Sequence, residues 1–336
     1  MNVMADGLQK SAGGRMRHLL EVLTKNRLMG ILLGAAVTAV IQSSSATTVM
    51  VVGFVNAGLM NLTQAAGIIM GANIGTTITA WVVSMSEWGS ALKPEFFAPL
   101  LIGIGAFLIL FSKKEKAREL SEILMGFGIL FIGLSFMSGA ITPYRDAPIF
   151  SEAFRILGGN PILGILTGLA VTAVIQSSSA SVGILQTLAA NGVVTWNSAI
   201  YITLGQNIGT CVTALLSSLG AQRTAKRAAA IHLLFNVIGA VIFGGIMFSI
   251  FTLNRTLAAS SISSVQISVF HTVFNITNTL ILFPFANWLV KMSGLLVKGE
   301  EETEEEKEEA YGLPHLDERI LETPSFAVEH AAKEVV

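Results

Sequence analysis

Eleven residues occur twice in this chain. AVTAVIQSSSA runs from Ala36 to Ala46 and again from Ala170 to Ala180, an offset of 134 positions (170 − 36). The same offset carries GANIGTTITA (71–80) onto GQNIGTCVTA (205–214). An ungapped alignment of 26–80 with 160–214 holds 26 identities in 55 positions, which identifies a duplicated unit. Whatever the chain folds into must be buildable twice from one plan. Each copy must also seat one Gln and three consecutive Ser in an otherwise apolar stretch.

The surroundings of the repeat decide the solvent. No Asp, Glu, Lys or Arg occurs from Leu28 to Ser86 or from Ile156 to Gln222. Only 13% of the 336 residues are charged, 52% are hydrophobic, and mean hydropathy is +0.66. Soluble domains carry roughly 25% charged residues. The chain therefore reads as an all-α integral membrane protein, because only helices and closed barrels satisfy their backbone in lipid. The net charge of −1 says little, since the acidic run EEETEEEKEE (300–309) offsets basic loops. Cys211 is the only cysteine, which excludes an intrachain disulfide and a Cys-rich metal site. No cleavable signal peptide is visible, and nothing in the composition suggests a nucleic-acid partner.

Residues 1–27 read as an amphipathic lead-in, with 8–25 a helix lying at the membrane surface or serving as a cytoplasmic approach. Two apolar arms follow, 28–41 and 47–59, each about 13 residues long where a crossing needs roughly 20. With a polar cluster between them, they predict a re-entrant hairpin carrying QSSSA at its tip, the alternative being one long kinked helix. Full spans are expected at 64–85, 97–111 and 120–141. The first is broken at GANIG, where glycines weaken a helix. Repeat two opens with a lead-in at 147–158, hairpin arms at 161–175 and 181–192, and a broken span at 198–219. Spans at 228–250 and 266–290 complete it. Repeat one thus occupies 28–141 and repeat two 147–291, with an acidic linker from 299 onward.

Three spans separate the two copies, and a hairpin returns to its own side. An odd number of crossings makes the repeats inverted, related by a pseudo-twofold axis in the membrane plane. Fourteen Lys and Arg between Lys10 and Lys298 then lie on one face. Four (Lys93, Arg145, Arg155, Arg255) lie on the other. The positive-inside rule makes the richer face cytoplasmic, and both termini with it. The expected location is the plasma (inner) membrane, multi-pass.

The repeated stretch offers hydroxyls and one amide in a small volume. At a hairpin tip the second arm begins a helix whose first N–H groups are unsatisfied and whose dipole is positive, which suits an anion. No cationic side chain lies nearby, so the anion needs another counter-charge, which bound metal cations can supply. Thr47, Thr48, Asn73, Thr76, Asn207 and Thr210 supply hard oxygen ligands of the sort alkali ions use. HLLFN (232–236) and HTVFN (271–275) share the pattern His-x-x-Phe-Asn. Each His lies within a span, where it either serves the transport chemistry or bonds the core to its frame.

The paired QSSSA motifs, the GANIGT and GQNIGT segments and HLLFN resemble the sodium-dependent phosphate cotransporters of type II, bacterial branch. The resemblance covers about 1–295 and implies a Na+-coupled secondary transporter of inorganic phosphate, with Na+ as coupling ion. It implies phosphate on Gln42, Ser43, Ser44 and Ser45 and on Gln176, Ser177, Ser178 and Ser179. It implies sodium near Thr47, Thr48, Asn73, Thr76, Asn207 and Thr210. Compared with the family pattern, MNVMADGL stands for only the tail of a first apolar helix. Pro314–Val336 resembles the opening of a PhoU-like helical domain. An oligomer is compatible with all of this. The rival readings are a transporter of another oxyanion, a channel, a membrane phosphate sensor without turnover, and a membrane enzyme. The enzyme lacks a charged group to orient Ser with His232 or His271, and there is no Gly-x-Ser-x-Gly elbow.

Overall fold

The computed structural model describes residues 27–87, 94–112, 114–144 and 147–299. The expectations for 1–26 and 300–336, the surface helix and the PhoU-like segment among them, lie outside the described residues.

The first repeat opens with α1 (Arg27–Ile41) and α2 (Ser44–Asn56), separated only by Gln42 and Ser43. The second opens with α6 (Pro148–Gly159), then α7 (Pro161–Ile175) and α8 (Ser178–Ala190). Asn160 caps α7, its Oδ1 accepting from the N–H groups of Ile162 and Leu163, and Pro161 opens the helix. The chain bends by 112° between α6 and α7. The expected loop tips are shorter than QSSS: Ser44, Ser45, Ser178 and Ser179 already form the first turns of α2 and α8.

The span after the first hairpin corrects the sequence reading. GANIG does not break it: α3 runs without interruption over Leu62–Ser84, closed by a short 3-10 turn at Met85–Glu87. Its counterpart divides only at Thr210, into α9 (Trp196–Gly209) and α10 (Cys211–Ser217). Thr210 itself keeps helical angles (φ −63°, ψ −23°), so the carbonyls expected to be freed there stay largely within a helix. The glycines serve contact instead. A Cβ on Gly71 would overlap the carbonyl oxygen of Ile31, and one on Gly205 the carbonyl oxygen of Ile165. Gly34 and Gly168 meet the carbonyls of Ile68 and Ile202 in the same way. Small residues let α1 lie against α3, and α7 against α9, at backbone contact.

The remaining helices are α4 (Pro94–Phe111), α5 (Glu115–Ile141), α11 (Arg223–Leu253), the short α12 (Arg255–Ala259), α13 (Ser264–Leu282) and α14 (Ala286–Leu296). The single span expected at 266–290 is two helices. Pro284 has no N–H to continue the ladder, and α13 ends two residues before it.

Among the described residues, five helices are long and apolar enough to cross a membrane: α3, α5, α9 with α10, α11 and α13. In the most apolar window, α3 and the α9–α10 unit are each 78% buried, against 17% for α5 and 28% for α11. The paired central spans are therefore wrapped by protein, whereas α5 and α11 show most of their surface to the surroundings. Exposed Phe136 (75%), Val241 (69%) and Leu253 (89%) are what a lipid-facing surface requires.

Loops that the topology assigns to one face are tied to each other. Arg27 donates to Asn287 Oδ1 at 2.8 Å, and Gln222 N to Asn56 Oδ1 at 2.8 Å. Among segments that the expected topology assigns to the opposite face, Ser264 Oγ donates to Glu87 Oε1 at 2.7 Å, Trp196 N to Ser260 O at 3.0 Å, and Asn191 Nδ2 to Ser138 Oγ at 3.0 Å.

Candidate functional site

The site is built from two copies of one small device. Gln42 takes a left-handed conformation (φ 58°), which ends α1. Its side chain is held at both ends: Nε2 donates to Ala39 O at 2.6 Å, and Oε1 accepts from Thr79 Oγ1 at 3.0 Å. Ser43 is extended and caps α2, its Oγ accepting from Ala46 N at 3.2 Å. Behind the turn, Thr38 Oγ1 donates to Thr47 Oγ1 at 3.0 Å, tying arm to arm.

Moved by 134 positions, each contact returns. Gln176 has φ 57°, its Nε2 donates to Ala173 O at 2.6 Å, and its Oε1 accepts from Thr213 Oγ1 at 3.0 Å. Ser177 caps α8 by accepting from Ala180 N at 3.2 Å. Thr172 Oγ1 donates to Ser181 Oγ at 2.8 Å. A left-handed non-Gly residue costs on the order of 1–3 kcal/mol and persists where its surroundings hold it. Here the surroundings hold it twice, in two unlike environments.

Those environments differ. Gln42 is 8% exposed, whereas Gln176 is open to the surroundings. Ser44 is 6% exposed and its Oγ is buried with no partner. Ser178 and Ser179 are each 8% exposed, while Ser45 is half-buried. Because Ser43 and Ser177 use their oxygens as acceptors in the caps, their O–H protons stay available to an anion.

The oxygens expected to bind a cation are positioned by their own helices. Thr48 Oγ1 donates to Ser44 O at 2.9 Å, and Thr76 Oγ1 to Ala72 O at 2.9 Å. Thr47 Oγ1 donates to Ser43 O at 3.2 Å, and Thr210 Oγ1 to Asn207 O at 2.6 Å. Asn73 Nδ2 donates to Ile69 O at 2.8 Å and Asn207 Nδ2 to Thr203 O at 2.9 Å. In every case a side-chain donor is spent on the helix; the Thr48, Asn73, Thr76 and Thr210 side-chain oxygens keep their lone pairs, while Thr47 Oγ1 also accepts from Thr38 Oγ1 and Asn207 Oδ1 lies 3.3 Å from His271 Nε2. Such a set can ligate a hard cation. His/Cys/Asp/Glu clusters able to hold a metal ion are absent among the described residues.

The structure brings each tip to the Thr of its own central span, and it crosses the repeats in packing. The second arm α2 lies on α10, and α8 lies on α3. Among the described residues no hydrogen bond joins Gln42–Ser45 directly to Gln176–Ser179.

Several polar residues around the tips escape a motif search. Gln206 Nε2 donates to Ser181 O and Oγ, both at 2.9 Å, linking GQNIG to the second hairpin. Gln186 is fully buried, and its Nε2 approaches Ala80 O at 3.0 Å, Ser264 O at 3.0 Å and Ser268 Oγ at 2.8 Å. It lies in α8 where Val52 stands in the first repeat, so the duplication gives no hint of it. Thr79 and Thr213 were visible as identities in the repeated frame, but nothing in the sequence shows that they hold the Gln amides. His271 Nε2 lies 3.3 Å from Asn207 Oδ1, which bonds the shared His-x-x-Phe-Asn element to one of the expected sodium ligands. In both copies of that element the Asn bonds back to the His carbonyl, Asn236 at 3.0 Å and Asn275 at 2.9 Å.

A family profile described as Na+/Pi-cotransporter matches residues 1–139 and 148–277. The Escherichia coli (strain K12) protein YjbB, whose name assigns it provisionally to inorganic phosphate export, is 28% identical over 336 residues. That match takes in 100% of this chain and 59% of YjbB, so the chain spans well under two thirds of that relative. YqeW of Bacillus subtilis (strain 168) is 28% identical over 297 residues, 88% of this chain and 94% of its own. Human sodium-dependent phosphate transport protein 2B is 42% identical over 74 residues, 22% of this chain and 10% of its own. No solved structure matches the chain. With the profile taking in both repeats, the chain is a multi-pass membrane protein that belongs to the Na+/Pi-cotransporter family, a family of transporters.

Proposed function

We propose that this protein carries inorganic phosphate across the membrane together with sodium ions, by alternating access between two QSSS turns. The observation that carries the reading is Ser44 Oγ, buried without a partner in the first turn of α2. A buried hydroxyl left unsatisfied costs about 1–3 kcal/mol, and an anion bound at the turn would satisfy this one. Phosphate would be held by Gln42, Ser43, Ser44 and Ser45 from one hairpin and by Gln176, Ser177, Ser178 and Ser179 from the other. The N-terminal N–H groups of α2 and α8 add positive potential.

Sodium is the counter-charge. Thr47, Thr48, Asn73, Thr76, Asn207 and Thr210 offer oxygens whose hydrogens are already spent on helix carbonyls. Each ion lowers the cost of burying the other, and that is the coupling. Alternating access is supported by the unequal burial of Gln42 and Gln176, since two identical turns in one molecule sit in one covered and one open environment. Inverted repeats are supported by the five hydrogen bonds between segments near helix ends of the same assigned face; the cytoplasmic side is assigned from the charge bias alone.

A second reading concerns direction. The name of the E. coli relative refers to phosphate export. Export needs the same site and the same ions, with phosphate loaded from the cytoplasm.

Phosphate binding to the purified protein, titrated in sodium and in choline at equal ionic strength, tests the coupling at equilibrium. The expected result is affinity at least about fivefold higher in sodium, since coupling free energies between sites are typically about 1–3 kcal/mol. Equal affinity in both media contradicts it.

A further inference from the structure

A cavity of about 390 Å³ lies away from the QSSS turns, where the α6–α7 elbow meets α9, α11 and α12. Its walls are apolar and aromatic, with Pro161, Phe248 and Phe251 among them, and its polar residues include Asn197, Tyr201 and Arg255. Tyr201 is only 2% exposed and sits edge-on to Phe251, ring centroids 6.0 Å apart and planes at 88°. Asn197 spends its Oδ1 on Thr195 Oγ1 (2.6 Å) and Ser198 N (2.8 Å). Among the described residues, the Asn197 NH2, the Tyr201 hydroxyl and the Arg255 guanidinium meet no acceptor. Three donors and no carboxylate lining the same cavity suit an anion.

The rim says which anion. Phe248, which lines the cavity, is 54% exposed, so an aromatic face at the rim is turned to the surroundings. On a membrane-spanning protein such a rim faces acyl chains, so the mouth opens beside lipid. Arginine and aromatic residues at the end of a membrane helix are the groups that meet headgroups.

We propose that this cavity binds the phosphate group of an anionic glycerophospholipid, with the diester on Arg255, Asn197 and Tyr201 and the acyl chains along Phe248. The bound lipid would brace the elbow at the base of the second hairpin against α11 and α12. The site differs from the QSSS turns in having a cationic side chain and an apolar floor, so a free, fully hydrated phosphate gains less there than an amphiphile does.

Native mass spectrometry of the full chain, delipidated and then exposed to phosphatidylglycerol or phosphatidylcholine, tests this. Expected are one tightly retained phosphatidylglycerol, retention of phosphatidylcholine at least about tenfold weaker, and a loss of about tenfold or more for phosphatidylglycerol in Arg255→Gln. Tyr201→Phe keeps the ring packing and should weaken retention severalfold, which keeps the proposal testable if Arg255→Gln folds poorly. Melting of each variant in lipid-free detergent should match the parent. Equal retention of the two lipids, unchanged retention in both variants, or displacement of phosphatidylglycerol by millimolar inorganic phosphate overturns the proposal.

Discussion

Ser44 concentrates the chemistry at the scale of one residue. Its hydroxyl is buried, unpartnered and at the start of a helix. Ser44→Ala removes an atom that forms no bond in the ligand-free protein, so melting in the absence of phosphate should hold or rise. Phosphate affinity should fall about 10- to 150-fold, the loss of one hydrogen bond to a charged group being worth roughly 1.5–3 kcal/mol. Ser178→Ala should act in the same direction. The double variant should lose less than the sum, because both hydroxyls would serve one anion. Binding titrations and thermal melts on the same preparations check this. If the serines were only glue between helices, melting would fall while affinity stayed. The QSSS turns were legible as a repeated polar element because the duplication marks them and their geometry is local. The grip of Thr79 on Gln42, and of Thr213 on Gln176, was not legible. It depends on how α3 and α9–α10 lie beside the turns, 37 residues away in sequence.

At the scale of the helix, glycine sets how closely the arms lie against the central spans. Gly71 and Gly75 read in sequence as a break, and the structure makes them contact points in a continuous α3. Glycine permits both outcomes, and composition alone does not choose between them. The choice comes from the partner helix, whose carbonyls approach the Cα atoms of α3 directly. Gly71→Ala and Gly205→Ala should therefore force α1 from α3, or α7 from α9, and destabilise by about 1–3 kcal/mol, as overpacking does. Gly245→Ala in α11 meets nothing within 4 Å and should be neutral or stabilising, by up to about 1 kcal/mol of helix propensity. Thermal unfolding of the three variants checks the contact: lower melting for the variants at 71 and 205 with none lost at 245 is expected, and equal melting of all three contradicts it. Gln186 belongs to this scale too. Gln186→Leu removes the amide that joins α8 to α3 and α13, while Ser268 Oγ still donates to both carbonyls, so the cost should be about 0.5–1.5 kcal/mol of stability, read from the same melts.

For the whole molecule, the order of the helices was legible and their packing was not. Charge segregation and the odd number of spans between copies were enough to propose inverted repeats. The crossing of α2 onto α10 and α8 onto α3 was invisible, because it is set by shape complementarity between apolar surfaces of near-uniform composition. The split of 266–290 at Pro284 could have been read from the proline itself. In a protein with Cys211 replaced, Pro94→Cys should label from outside the cell and Glu115→Cys only from the cytoplasm. Labelling of both from one side would refute the inverted arrangement. Sodium-coupled phosphate movement is the central claim, and flux tests it most directly. Purified protein in liposomes, given radiolabelled phosphate and an imposed sodium gradient, should accumulate phosphate saturably on the side to which sodium runs down, with the Ser44→Ala protein far slower at low phosphate. Equal phosphate flux in sodium and potassium media would contradict the account.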